Sequence, residues 1–270
     1  MLEIHSLSKT FLPNTANEVR ALQTVNLTIE AGSFTGIIGT NGSGKSTLLN
    51  AAAGTFAPDV GSIHLDGHDI TRWPEYRRAS LIGRVFQNPF AGTAADMSIV
   101  ENIVIAMKRG KARSLRRAVT RAFRNEIADR VRTLKMGLED RLDNPIGTLS
   151  GGQRQALTLL MATWTRPKLL LLDEHTAALD PKSAAQVAEL TKAIIEQEKL
   201  TALMVTHSMQ QAVDLPDRII MMHRGKIIED FQAERKLRVR VPDLMATFDR
   251  VRKRELFDES VAGVLAEQYR

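Results

Sequence analysis

The sequence predicts an α/β fold built on a largely parallel sheet. Apolar runs of strand length alternate with segments of helical period along most of the chain. One of those runs, Leu169–Leu172, is apolar at every position, as strands buried on both faces are. A glycine-rich loop also stands between an apolar strand and a helix-forming run.

Each element follows from local pattern. Residues 1–11 and 22–30 read as short strands, the second with Leu22, Val25, Leu27 and Ile29 in partial alternation. Phe34–Ile38 is an apolar strand that runs into the loop, and a helix is expected from Lys45 to about Ala53, stopped by Gly54. Pro58, Asp59 and Gly61 mark a turn before a short strand at Ser62–Leu65. The middle third is helical in pattern, and Ser98-Ile-Val-Glu101 has the form of a capping box. A further helix begins after Ser150. Ala156, Leu157, Leu160, Met161 and Trp164 share one face of it, and Pro167 ends it. Residues 184–198 are helical by pattern, and Thr201–Val205 and Arg218–Met222 are further buried strands. Near the end, Leu237, Val239 and Val241 alternate with Arg238 and Arg240, which predicts a short strand. Pro242 then opens a helix with Leu244, Phe248 and Val251 on one face.

Composition excludes several classes of function. The 270 residues are 43% apolar and 25% charged, ordinary values for a globular chain. The absence of cysteine rules out disulfides, thiolate zinc sites and a cysteine nucleophile. The opening MLEIHSLSKTF lacks the basic start and apolar core of a signal peptide, and no run of ~18 apolar residues predicts a membrane span. The net charge of +6 leaves nucleic acid, anionic lipid and anionic small molecules open as partners.

Two motifs carry chemistry. Gly39, Thr40, Asn41, Gly42, Ser43, Gly44, Lys45 and Ser46 fit G-x-x-x-x-G-K-[ST]. Glycines let the backbone wrap phosphates, and the helix that starts at Lys45 turns its positive end toward the anion. Lys45 is placed to reach the β- and γ-phosphates, Ser46 to set its hydroxyl on Mg²⁺, and Thr47 to add a phosphate contact. The second motif, Leu169-Leu-Leu-Leu-Asp-Glu174, sets two carboxylates at the C-terminal end of a buried strand, where open α/β sheets bind ligands. Asp173 is suited to hold Mg²⁺, and Glu174 to orient and polarise an attacking water.

Leu149-Ser-Gly-Gly-Gln153 opens another helix and so offers free N–H groups. With this motif, residues 1–230 resemble the ATP-binding cassette family, whose signature LSGGQ matches. The resemblance extends to Phe11 as the aromatic that stacks on adenine and Gln87 as the Q-loop glutamine. It likewise makes Asp180 the D-loop aspartate and His207 the switch histidine. Departures are His175, where the family often has proline, and Ala178, where it often has serine. His175 is expected to be a solvated loop histidine.

The resemblance implies a P-loop NTPase (RecA-like) core with a small antiparallel β-subdomain and an inserted α-helical subdomain. It divides the chain into a core with β-subdomain (1–87), a helical subdomain carrying the signature (88–160), the continued core (161–230) and a C-terminal extension (231–270). It implies ATP hydrolysis, with Glu174, His207, Gln87 and Lys45 catalytic and Ser46, Gln87 and Asp173 around Mg²⁺. It further implies a head-to-tail dimer, in which each ATP lies between one chain's phosphate loop and the other chain's Ser150, Gly151, Gly152 and Gln153, with Asp180 alongside. The partners implied are an integral membrane permease and a solute-binding protein, with no nucleic acid. The expected location is cytoplasmic, peripheral on the inner face of the membrane. A free-standing cassette of this length is similar to importer ATPases, including a group associated with amino-acid-like solutes. An exporter's ATPase and a nucleic-acid-associated ATPase are the alternatives.

The charge has an address. Residues 108–124 hold eight Lys or Arg and no acid, so the rest of the chain carries a formal charge of −2. The segment reads first as a solvated helix face, and otherwise as a contact for anionic lipid headgroups or acidic permease loops.

Overall fold

The computed structural model describes residues 1–110, 120–251 and 253. Most of the basic segment, residues 111–119, lies outside the described residues.

The main sheet has six strands, drawn from across the chain. In chain order they are β3 (Phe34–Gly39), β6 (Ile82–Val85), β7 (Leu169–Asp173), β8 (Ala202–Val205), β9 (Arg218–His223) and β10 (Lys226–Phe231). Their spatial order is β10-β9-β3-β8-β7-β6, parallel throughout except that β10 runs antiparallel to β9. The fold is therefore the expected α/β arrangement. A second, antiparallel sheet holds β1 (Leu2–Phe11), β2 (Val19–Ile29), β4 (Val60–Leu65) and β5 (His68–Asp69) in the order β2-β1-β4-β5.

The helix α1 (Lys45–Ala53) lies between the two sheets, and its Leu48, Leu49 and Ala51–Ala53 are buried. The burial explains why the central strands are apolar at every position. Leu169, Leu171, Leu203 and Val205 face the cluster around α1. Leu170, Leu172, Ala202 and Met204 face the opposite cluster, together with Leu159, Ala162 and Ile195. Those last residues belong to α5 (Gly151–Thr163) and α6 (Pro181–Glu198). A strand with helices on both faces has no solvent side on which to alternate.

A helical region projects from the core. It includes α3 (Ile99–Met107), α4 (Arg121–Arg132) and the start of α5, gathered round Ile103, Ile127, Val131, Leu157 and Trp164. The Ser98–Glu101 capping box is present in full. The helix α5 ends at Thr163, before Pro167. The short helices α2 (Glu75–Arg78) and α7 (Met209–Asp214) complete the connections.

One expectation is overturned. Residues 237–241 are not a strand: α8 spans Ala233–Arg238, and residues 241–250 are helical. Alternation predicts one buried face for Leu237, Val239 and Val241, yet Leu237 is 76% exposed and only Val239 is fully buried. Val239 packs with Leu244 against Ile219 and Met221. The expected apolar face of the last helix is seen in buried Leu244 and half-buried Phe248.

Buried Arg78 ties the end of α1 to the segment that follows β5. Its Nη1 donates to the carbonyls of Ala51 (2.7 Å) and Ala52 (2.8 Å) at the end of α1. Its Nε donates to Trp73 O (2.9 Å) and its Nη2 to Thr71 O (3.0 Å). A cation at a helix C-terminus is favoured by the helix dipole, although burial pushes this guanidinium down to about 10. Replacing Arg78 with Met removes the side-chain donor from four carbonyl oxygens. We expect a loss of about 3 kcal/mol in urea unfolding, against under about 1 kcal/mol for Arg77→Met, whose guanidinium stacks on Trp73 in the open. Equal losses would remove Arg78 from this role.

Candidate functional site

The phosphate-binding turn is held from several sides. Gly39 ends β3 so close to its neighbour that a Cβ there would stand 2.3 Å from Met222 O. Gly44 has φ +97°, and a Cβ would stand 2.3 Å from Ala21 O, so only glycine fits either place. The β9–β10 turn braces the loop, with Gly225 N donating to Ser43 O at 3.0 Å. Lys45 folds back over the loop and donates to Gly39 O (2.8 Å) and Thr40 O (2.9 Å). It is 5% exposed, and burial lowers its pKa from the ordinary lysine value, with Glu174 opposing that shift. No side chain caps the N-terminus of α1, which leaves its first-turn N–H groups directed at the loop.

Part of the loop lines a cavity of about 370 Å³ together with Phe11, Val19, Ala21, Glu174 and His207, while Gly39 and Thr40 stand outside its lining. Its phosphate-loop part runs from Asn41 to Thr47. Phe11 is 38% exposed and meets Phe56 edge-on, with centroids 5.4 Å apart. No local pattern in the sequence marks Val19 and Ala21, which stand beside the loop on β2, the strand paired with β1.

The acidic pair splits at the strand end. Glu174 has φ +47°, in the left-handed region that a non-glycine residue rarely adopts. Its N–H donates to Val205 O (2.9 Å) and its carbonyl accepts from Ala177 N (2.9 Å), which fixes the turn. Its Oε1 then lies 2.6 Å from His207 Nε2. Asp173 meets Arg84 instead, at 3.3 Å. Gln87 lies in the exposed turn after β6, outside the residues lining the cavity.

The second glycine motif stands elsewhere in the chain. Ser150 caps α5 with Gln153 in a capping box. A Cβ on Gly152 would stand 2.8 Å from Ser183 Cβ, so the glycine lets α5 approach α6. Asp180 caps α6, with Oδ1 accepting from Ser183 N at 3.0 Å, and these hydrogen bonds lower its pKa. None of Ser150, Gly151, Gly152, Gln153 and Asp180 lines the cavity.

His175 corrects the sequence reading. It is 1% exposed rather than solvated, and its Nε2 lies 2.9 Å from Thr191 Oγ1 on α6. The Thr191 hydroxyl donates to Val187 O (2.7 Å), so the ring nitrogen is the donor to Thr191. Burial pushes the imidazole down to about 4.

Among the described residues no three His, Asp or Glu side chains cluster as a metal cage. A hydroxyl at Ser46 and one carboxylate at Asp173 match Mg²⁺, which takes few protein ligands and keeps phosphate and water oxygens.

A family profile described as ABC transporter matches residues 22–177. A tyrosine transport ATP-binding protein of Clostridioides difficile is 41% identical over 250 residues, covering 92% of this chain and 99% of the relative. A spermidine/putrescine import ATP-binding protein of Haemophilus influenzae is 36% identical over 85% of this chain and 57% of its own length. A methionine import ATP-binding protein of Corynebacterium glutamicum is 34% identical over 84% of this chain and 61% of its own. The chain thus spans less than two thirds of these last two. Among solved structures, a dimeric ATP-binding cassette in a post-hydrolysis state, bound to ADP and Pi, superposes with a TM-score of 0.73 at 26% identity. It covers 86% of this chain and 98% of that one. A nucleotide-free cassette from an ABC transporter gives 0.71 at 27% identity, over 88% and 93%.

The buried His175 makes stability depend on pH. The unfolded residue takes a proton near 6.5, while the folded one stays neutral to about 4. Stability is therefore lost as pH falls between these values, by about 3 kcal/mol at the lower end. Urea unfolding of His175→Gln should lack this component, and pH curves parallel to the unmodified chain would contradict it.

Proposed function

Because the chain belongs to the ABC transporter family and is an ATP-hydrolysing cassette of it, we propose that it drives import of a small, amino-acid-like solute through a separate permease. What supports the chemistry is one cavity that joins the phosphate loop to the Glu174–His207 pair at 2.6 Å. What supports the solute class is the tyrosine transport relative, matched over nearly its whole length, and what supports the direction is the relatives named for import. The relatives named for import do not favour an exporter or a nucleic-acid motor.

In this reading the backbone N–H groups of residues 42–47 and Lys45 bind the phosphates, and Phe11 packs on the base. Lys45 exchanges its loop carbonyls for phosphate oxygens as these arrive, which restores charge pairing to a buried ammonium. Ser46 and Asp173, with Gln87 brought in from its turn, would hold Mg²⁺, which would supply positive charge to offset that of the phosphates. Glu174 orients the attacking water and accepts its proton, while His207 holds Glu174 and faces the γ-phosphate. The signature residues Ser150–Gln153 and Asp180 of a second copy close the site, since those of the same chain do not line it. Residues 88–160 form the arm that carries the signature, between core segments 1–87 and 161–230. The cassette meets the membrane through the permease, on its cytoplasmic side, and a solute-binding protein delivers the cargo. Among the described residues no helix is long and apolar enough to cross a membrane.

Glu174→Gln is expected to cut multiple-turnover ATP hydrolysis about 10²-fold or more while fluorescent-ATP binding persists. Lys45→Ala should weaken nucleotide affinity at least about tenfold by titration calorimetry. Normal turnover in the first variant, or unchanged affinity in the second, would overturn these roles.

A further inference from the structure

Arg84 is a charged residue beside the site that the hydrolytic scheme leaves unused. It sits on β6 opposite Leu171 of β7, two positions before Asp173. Its side chain is 14% exposed and that of Asp173 19%. Nη2 donates to Asn50 Oδ1 at 2.6 Å and to Asp173 Oδ2 at 3.3 Å, and Nη1 reaches Thr55 Oγ1 at 3.4 Å. The guanidinium also stacks over Phe86, 4.6 Å from the ring centroid, while its buried Nε has no hydrogen-bond partner. The side chain is thus held on one face by an aromatic ring and at its tip by three polar groups.

The placement of Asn50 gives this cluster its meaning. Asn50 lies four residues after Ser46 on α1, hence on the same side of that helix. The bridge Asn50–Arg84–Asp173 therefore joins the helix that carries Ser46 to the strand that carries Asp173. Asp173 ends a strand whose preceding four residues are fully buried. A carboxylate there, followed directly by Glu174, needs a nearby cation.

We propose that Arg84 is a positioning residue that supplies this cation before metal and nucleotide arrive, holding Asp173 in line with Ser46 through Asn50. Arg84 engages Oδ2 and leaves Oδ1 of Asp173 to the metal side. Metal entry then takes over the counter-charge, and the guanidinium stays anchored on Phe86 and Asn50. Phe86 precedes Gln87, so the same stack fixes where the Gln87 turn leaves β6. The inference rests on reading Asp173 as the metal carboxylate.

A thermal-unfolding cycle tests it. Full-length chains with Arg84→Gln, Asp173→Asn or both are melted with a non-hydrolysable ATP analogue, in EDTA or in Mg²⁺. In EDTA, Arg84→Gln should lower Tm by about 4 °C when Asp173 is present and by under about 1 °C in the Asp173→Asn background. Mg²⁺ should at least halve the first loss. Should Arg84→Gln fail to fold, Arg84→Lys, which keeps the charge but not the fork, runs the same cycle with a smaller loss of the same pattern. A loss equal in both backgrounds, or equal with and without Mg²⁺ while Mg²⁺ still stabilises the unmodified chain, overturns the proposal alone. No stabilisation of the unmodified chain by Mg²⁺ overturns the metal reading of Asp173, and this inference with it.

Discussion

Everything at the cavity hangs from the register of three neighbouring parallel strands. Ile37 of β3 pairs with Val205 of β8, and Val205 pairs with Asp173 of β7. β7 and β8 therefore end at one level, with β3 running two residues further to Gly39, and the phosphate loop, Glu174 and then His207 leave the same end of the sheet. The register is stiff because every side chain along it is buried on one face or the other. A slip by one residue would exchange the α1-facing set Leu169 and Leu171 for the α5-facing set Leu170 and Leu172. The 2.6 Å contact between Glu174 and His207 is a consequence of this alignment, completed by a left-handed turn at Glu174 that the Val205 carbonyl holds.

The same logic shows which parts of the molecule could be read from the sequence. Phosphate-loop glycines, the apolar run of β7 and the Ser98 capping box each depend on residues within a few positions of one another, and the structure shows them as expected. His175 could not be read this way. Its burial depends on Thr191, sixteen residues on, and on how α6 crosses the sheet. Val19, Ala21 and Arg84 likewise reach the site by strand pairing alone, and no local pattern marks them. The alternation at Leu237–Val241 misled for the converse reason. It is a local pattern, and packing of Val239 and Leu244 on Ile219 and Met221 decides the conformation instead.

Charge is handled at the site by pairing each buried ion with a partner that a ligand can replace. Lys45 rests on the Gly39 and Thr40 carbonyls, and Asp173 on Arg84. In the proposed function a stronger partner replaces each of them, phosphate for Lys45 and a divalent cation for Asp173. His175 is the exception: it is neutral, committed to Thr191, and serves packing beneath the Glu174 turn.

Two glycine-rich motifs open helices, at Lys45 and Gly151, and only the first lines the cavity. A second copy is the proposed source of the missing half. Mixing two inactive chains tests this most directly, one with Lys45→Ala and one with Gly151→Asp. If each site is built from one chain's phosphate loop and the other chain's Ser150–Gln153, a mixed dimer holds one intact site, and ATP hydrolysis reappears on mixing. A mixture as inactive as its components would contradict the account.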